Sequence, residues 1–379
     1  MRSQSSRSIA RRYRGTPTIA RAAGLVLALT SLAASRAEAI PAFAHAYGMT
    51  CQKCHSVIPR LSDFGEAFRV SGFALPGTRP QHALPLSVKI NTAYSSEPDP
   101  SGLPKATLDE VELFVAGRIG ARANYFIEQY AVDGGRPGAT RDAWIGYRAT
   151  PDDARVPVRV QVGSFTLPLP VDPESFRESL AHYAIFDQRV GRNPFAFFDA
   201  KLGGGVRIGN EDRGTSVGLF ALGGHDPQSG IAAHGVDTMT VLSHALGPLT
   251  LSAYRYAGAR PVDGGLDRFW RAGYGATVRT RELEFDAVIQ TGNDDRPGDG
   301  AGPARSSGGL AQVRYTFDRR TFASLRYEGT NDQATGFMRQ LVPLVGYRVT
   351  RNSRFTIEDV ITHVPVAKHA LGMQYTVAY

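Results

Sequence analysis

From residue 107 to the C-terminus, apolar and polar residues alternate with a period of two. In "LEFDAVIQ", Leu283, Phe285, Ala287 and Ile289 point one way while Glu284, Asp286 and Gln290 point the other. In "DEVELFV", Val111, Leu113 and Val115 oppose Glu110, Glu112 and Phe114, and "AQVRYTF" sets Ala311, Val313, Tyr315 and Phe317 against Gln312, Arg314 and Thr316. Such alternation is the mark of strands with one apolar and one wet face. No apolar run after residue 39 reaches the roughly 20 residues that a spanning helix needs. Two architectures satisfy the pattern: a water-soluble sandwich with its apolar faces inward, and a transmembrane barrel with its apolar face toward lipid.

Connector lengths favour the barrel. Brief links around residues 117–120, 149–156, 209–214, 247–248, 280–282, 318–320 and 350–353 alternate with longer ones at 94–107, 133–140, 165–199, 224–236, 258–267, 292–307, 329–337 and 363–368. Short turns on one rim and longer Gly-, Pro- and Asp-rich loops on the other are the habit of outer-membrane barrels. Counting from Leu84 gives about sixteen antiparallel strands, an even number, so residues 84–379 read as an all-β, porin-like barrel. The last strand, "LGMQYTVAY", places Leu371, Met373, Tyr375, Val377 and Tyr379 on one face. It resembles the C-terminal strand of bacterial outer-membrane proteins, where a terminal aromatic sits in the interfacial girdle. The longest connector, residues 166–200, carries a helical pattern over 173–185, with Phe176, Leu180 and Tyr183 along one side. It is either a constriction folded into the lumen or an external flap.

The chain opens with Arg2, Arg7, Arg11, Arg12, Arg14 and Arg21, followed by the apolar "AAGLVLALTSLAA" and then Ala37-Glu38-Ala39. A positive region, an apolar region and an A-x-A site form a signal peptide, cleaved near Ala39. The apolar run is shorter than a membrane anchor requires. Setting aside the seven arginines and one glutamate of residues 1–39 takes the chain from 43 basic and 35 acidic residues to 36 and 34, near +2. The basic character belongs to the targeting segment and gives no reason to invoke nucleic acid.

The exported part keeps only two cysteines, in "GMTCQKCHSV". Cys51, Cys54 and His55 spell C-x-x-C-H, the attachment signature of c-type haem, with two thioether cysteines and a histidine for the iron. A disulfide, or a zinc site, is the alternative. The βαβ unit of thioredoxin-like sites is absent, and no second C-x-x-C or paired histidine supplies a fourth zinc ligand. After His55, Val57, Leu61, Phe64 and Phe68 recur at helical spacing, with Ser62 as a candidate cap and Gly65 weakening the helix. Residues 40–83 are too few to bury a core of their own. Phe64 and Phe68 are therefore expected to pack on the porphyrin, the barrel wall being the next partner. His55 is the expected proximal iron ligand. Candidates for the distal position are His82, His45 and Met49 within the segment, Met239 and Met373 from the barrel, or no residue at all.

"AFAHAYGMTCQKCHSVIPRLSDFGEAFRVSGF" ahead of a sixteen-stranded barrel resembles the fused cytochrome–porin family of outer-membrane iron oxidisers. The likeness rests on Cys51, Cys54, His55, Pro59, Phe64, Gly65 and Phe68, and over the barrel on architecture alone. It implies one covalent haem c in or at the mouth of a porin, passing single electrons between an external donor such as Fe(II) and a periplasmic carrier, a cytochrome or cupredoxin. Asp294, Asp295 and Asp299 in the 292–307 connector are candidates to concentrate external cations. The competing function is a diffusion porin whose N-terminal segment is a plug or redox sensor. A haem enzyme would need a distal acid–base pair, and residues 40–83 offer none.

Overall fold

The computed structural model describes Phe43, Tyr47 and residues 49–71, 73, 75, 86–98, 104–151, 154–210, 214–226, 228–298, 302–333, 336–364 and 366–378. The signal segment, His45, His82, Asp299 and Tyr379 lie outside them. Sixteen strands close into one antiparallel barrel. They are β1 (Leu86–Pro98), β2 (Pro104–Ile119), β3 (Ala123–Asp133), β4 (Thr140–Arg148), β5 (Val158–Phe165), β6 (Lys201–Gly209), β7 (Thr215–Leu222) and β8 (Asp237–Leu246). The circuit continues with β9 (Leu249–Val262), β10 (Gly265–Arg279), β11 (Leu283–Asp294), β12 (Ala304–Thr316), β13 (Thr321–Asp332), β14 (Gly336–Arg348), β15 (Ser353–Val364) and β16 (Val366–Ala378). Each strand pairs with its neighbour in sequence, and β16 pairs with β1 to close the ring, Tyr375 opposite Thr92.

The faces decide between sandwich and barrel. Ile145, Val162, Tyr274, Ile289 and Val345 are more than half exposed on the outside. Glu112, Arg271, Asp286, Arg314 and Glu358 are buried inside. A soluble sandwich shows the reverse, so the outer wall is built for lipid and the lumen carries the charge. Register makes this local: on β11 and β12, outward Phe285 faces Val313 while inward Glu284 faces Arg314. Outward Tyr147, Tyr315, Phe317 and Tyr347 gather beside the short turns, as an interfacial girdle requires. Among the described residues no helix is long and apolar enough to cross a membrane.

On the opposite rim several expected loops are strand. β9 and β10 run to Val262 and from Gly265, leaving only Asp263 and Gly264 as a turn, both at positive φ (48° and 76°). That Asp-Gly pair is the two-residue hairpin signal. β13 and β14 reach Asp332 and Gly336, and β15 and β16 reach Val364 and Val366. Backbone pairing continues beyond the apolar band, where the side chains no longer need to alternate.

The long connector folds inward. Leu167, Tyr183, Ile185, Phe186, Phe195 and Phe197 bury themselves against lumen residues Phe165, Phe220, Met239, Tyr254, Tyr256, Phe269 and Leu310. The expected helix over 173–185 is absent; only one helical turn, α2 (Ala184–Asp187), forms. Carboxylates take backbone amides instead. Asp172 Oδ1 accepts from the Glu174 and Ser175 amides, and Glu358 accepts from the Leu180 and Ala181 amides at 3.0 and 3.2 Å.

Candidate haem site

The N-terminal segment lies inside the turn end of the barrel. Cys51–Cys54 forms a single helical turn and runs directly into a small hairpin, His55–Val57 against Arg60–Leu61. A helix, α1 (Asp63–Val70), follows. Ser62 caps it as expected, its hydroxyl accepting from the Gly65 amide at 3.1 Å. Val57 and Leu61 are hairpin residues, so the helical stripe begins only at Phe64. The interruption ties the helix to the cysteine turn: the Ser62 amide and hydroxyl donate to the carbonyl oxygens of Cys54 and Lys53 at 2.8 and 2.7 Å. Gly65 sits directly on the Cys54 carbonyl, where any Cβ would overlap the oxygen. The glycine that weakens the helix by propensity is thus the one residue that lets α1 approach the motif.

Aromatic side chains anchor the segment to the wall. Phe43, Phe68 and Phe73 cluster with Ala116 of β2, and Phe126 of β3 and Trp144 of β4 pack against them. The Phe73 ring stacks on Phe126 and Trp144 at 6.0 and 6.5 Å. Phe114, Phe126 and Trp144 occupy lumen-facing positions, where a water-filled pore would carry polar groups. Across the lumen, Val57 packs on Phe322 and Leu344, Ile58 on Ala378, and Arg348 donates to the Ser56 carbonyl oxygen. Arg60 is fully buried and pairs with Glu284 and Asp286. Burial opposes its charge, but Glu284, Asp286 and Glu178 outweigh burial and raise its pKa.

Between segment and wall lies a cavity of about 300 Å³, lined by Cys54, His55, Met49 and Phe68 from the segment and by Phe114, Phe126 and Trp144 from the barrel. The volume falls within the range of small-molecule and cofactor pockets. His55 Nδ1 donates to the Pro59 carbonyl oxygen at 3.0 Å. That bond orients the ring and leaves Nε2 as the lone-pair nitrogen, as a metal-binding imidazole requires. Burial lowers the His55 pKa against the backbone hydrogen bonds at Pro59 and Arg60, which favours the neutral ring. Cysteine, histidine and aromatic wall together fit a covalent haem. Among the described residues no group of three His, Cys, Asp or Glu comes together as a directly ligated metal would need.

The remaining candidates separate cleanly. Met49 lines the cavity. Met373 is on the outward face of β16 with Leu371 and Tyr375, so it meets lipid and is no ligand. Met239 is 1 % exposed beneath the 166–200 connector, outside the cavity lining. Phe68 borders the cavity, whereas Phe64, outside its lining, stacks on Phe68 at 6.2 Å and has the Lys53 ammonium 4.6 Å from its ring centroid. Asp294 does not await cations: it is buried, paired with Arg271 at 2.7 Å and accepting from Asn193 at 3.0 Å. Phe114, Phe126 and Trp144 escaped the sequence analysis as site residues. Their signal was aromatic side chains in the polar phase of three successive strands.

The barrel has the fold of outer-membrane porins. It is similar to an anion-selective porin from Comamonas acidovorans, with a TM-score of 0.59 and 12 % identity over 78 % of this chain and 99 % of that one. Salmonella typhi OmpF, in a complex with daunomycin, aligns with a TM-score of 0.57 and 13 % identity over 78 % of this chain and 97 % of that one. The outer-membrane protein OmpT of Vibrio cholerae gives 0.55 and 10 %, over 78 % and 97 %. No protein-family model matches the chain, and no curated protein does.

Proposed function

We propose that this chain is a monohaem c-type cytochrome–porin of a bacterial outer membrane, carrying single electrons from an extracellular reductant such as Fe(II) to a periplasmic cytochrome or cupredoxin. The observation that carries the reading is the setting of Cys54 and His55: they face an aromatic-walled cavity enclosed by the lumen of a lipid-facing barrel. Bound there, haem supplies a one-electron redox centre inside the apolar band, about 25 Å tall, that a bilayer otherwise interposes. Cys51 and Cys54 would hold the group covalently and His55 Nε2 would take the iron. Phe68, Phe126 and Trp144 would exclude water from its faces. The 166–200 connector, pinned across the lumen, would keep bulk solute out of the same channel.

A diffusion porin with a plugging segment is the second reading, favoured by the likeness to porins alone. Two measurements separate them. The mature protein, made with a competent haem-ligation system and purified in detergent, should be coloured and retain haem on a denaturing gel. In planar bilayers it should conduct far below an open sixteen-stranded pore. A colourless product with porin-scale conductance sinks the electron-transfer reading and leaves the porin.

A further inference from the structure

The outer wall changes character at its long-loop end. Outward residues of β11 run Leu283, Phe285, Ala287 and Ile289, and then turn polar at Thr291, Asn293 and, just past the strand, Asp295. From Leu283 to Asn293 the strand covers about 33 Å, which a tilt of about 35–45° turns into roughly 25 Å of height, the thickness of the apolar band. Asn293 therefore stands at the far interface, below the longer loops. Trp270 on β10 and Arg305 on β12 lie directly opposite it on either side. Arg268 is the next outward residue of β10 toward the loops. Arg255 on β9 is opposite Ala272, the outward residue on the other side of Trp270. All three arginines are exposed, while their strand neighbours Tyr254, Tyr256, Phe269, Arg271 and Ser306 are buried on the lumen face. The Arg255 guanidinium lies 5.4 Å from the Trp270 ring centroid, so this side chain leaves the edge of the apolar band and runs toward the interface. Asp295 is the carboxylate beside them. Its amide donates to the Arg268 carbonyl oxygen at 2.9 Å, and its Oδ1 accepts from Asn293 at 3.3 Å. It offsets one of the three positive charges, and Arg339 on β14, its guanidinium 4.6 Å from the Phe337 ring centroid, adds another further round the wall.

We propose that Arg255, Arg268 and Arg305, seated round Trp270 on the outer wall, bind the headgroup of a phosphorylated glycolipid of the outer leaflet. Charge on a lipid-facing wall is costly in the apolar band and is tolerated at the interface. Arginines gathered at that height meet lipid phosphates, which a guanidinium fork matches in two parallel hydrogen bonds. Trp270 supplies the amphipathic ring that belongs at headgroup level. Three interstrand steps of about 4.8 Å set Arg255 and Arg305 roughly 14 Å apart across the strands, room for two phosphates on one headgroup rather than one. The longer loops mark this rim as the outer one, where the leaflet is built of such glycolipids. The apolar wall below, Phe285, Ile289 and Tyr274 included, receives the acyl chains.

The test uses the full-length mature protein in non-ionic detergent, titrated with diphosphorylated lipid A and read by native mass spectrometry. Phosphatidylglycerol, phosphatidylcholine and inorganic phosphate are the comparison probes. Variants are Arg255→Gln, Arg268→Gln and Arg305→Gln, singly and together, the triple Lys replacement, and Arg281→Gln as a control on the turn rim, 92 % exposed. The parent should bind lipid A in preference to either phospholipid, and excess inorganic phosphate should not displace it. Each single Gln variant should weaken lipid A binding about fivefold, as one arginine near an anionic surface contributes, and the triple Gln protein roughly thirtyfold or more. The triple Lys protein should stay within threefold of the parent, and Arg281→Gln should not move. If the triple Gln protein fails to assemble, the single variants and the Lys protein decide. Parental affinity in the Gln variants overturns the proposal, and so does an equal loss in Arg281→Gln, which would mean net charge alone. Equal binding of phosphatidylglycerol, or displacement by phosphate, overturns it too, marking a general anionic surface or a free-anion site.

Discussion

Two segments fill one lumen, both held by buried rings and ion pairs, and they differ in what they leave open. The 166–200 connector adds a dense set of charged ties to its buried rings. Glu178 accepts from Arg314 at 2.8 Å, Arg326 donates to Ser179, Ala181 and His182, Arg177 reaches Glu110, and Asn193 bridges Asp267 and Asp294. These partners come from β2, β10, β11, β12 and β13, so the connector is tied to wall on several sides. The N-terminal segment is held by rings, Phe43, Phe68 and Phe73 against Phe126 and Trp144, and by the buried Arg60 on Glu284 and Asp286, and it leaves a cavity beside Cys54 and His55. A segment that is only a stopper should pack like the first. The second leaves space where its chemistry-bearing residues are.

The largest effects should follow from removing each segment's purpose. Replacing residues 166–200 with a short turn should convert a closed barrel to a conducting one, with single-channel conductance rising at least tenfold in planar bilayers. Covalent haem should survive it. Cys54→Ala or His55→Ala should do the reverse, abolishing oxidation of an external donor by intact cells while heat-modifiable gel mobility shows the barrel assembled. Parental oxidation rates in those variants would end the electron-transfer reading. If conductance rises in them to the level of the connector deletion, the N-terminal segment is the true stopper and the comparison inverts.

An intermediate effect should come from the buried latch. Arg314→Leu leaves Glu178 and Glu284 without their shared guanidinium inside the lumen. Stranding a buried charge costs about 3–5 kcal/mol. The sixteen-strand ladder should absorb this without unfolding, so the loss should appear as proteolytic nicking within 166–200 and as flickering conductance. Arg314→Leu with Glu178→Leu should recover part of the loss, because an apolar pair of similar volume is often tolerated.

The barrel was legible in the sequence because period two is enforced at every residue that meets lipid. The cysteine–histidine signature was legible because Cys51, Cys54 and His55 lie within five consecutive residues. What stayed hidden depends on contacts between residues far apart in sequence. The inward fold of 166–200 turns on Glu358 and Arg326, more than 140 residues away, taking backbone groups that helical spacing seemed to assign to each other. Asp294 looked like an external carboxylate until Arg271, two positions from its partner Phe269 on the neighbouring strand, proved to be paired with it.

Smaller changes sharpen the contrast within each segment. Gly65→Ala forces a methyl into the Cys54 carbonyl, an overpacking cost on the order of 1–3 kcal/mol. It should lower haem-attachment yield without altering barrel assembly or conductance. Trp144→Ala removes a ring that is only partly buried, so the loss should fall below the ~3–5 kcal/mol of a core aromatic. It should expose the N-terminal segment to protease and leave the 166–200 connector protected. Simultaneous release of both segments would show that they are one cooperative plug rather than two.

The smallest effect belongs to the exposed end of the connector. Asp187 lies 3.8 Å from His182 Nδ1, both side chains about two-fifths exposed. Its interaction with His182 lowers the Asp187 pKa, against partial burial. A depressed carboxylate pKa contributes stability above the unfolded value and loses it as pH falls through the folded one. Solvent screening limits the contribution to about 0.2–1 kcal/mol. Asp187→Asn should therefore raise nicking of the connector slightly at pH 7, and the difference should shrink as pH falls below the ordinary carboxylate range and through the lowered folded value. A change as large as that of Arg314→Leu would mean that the connector is fastened at its exposed edge, and the buried arginines would lose their standing as the clamp.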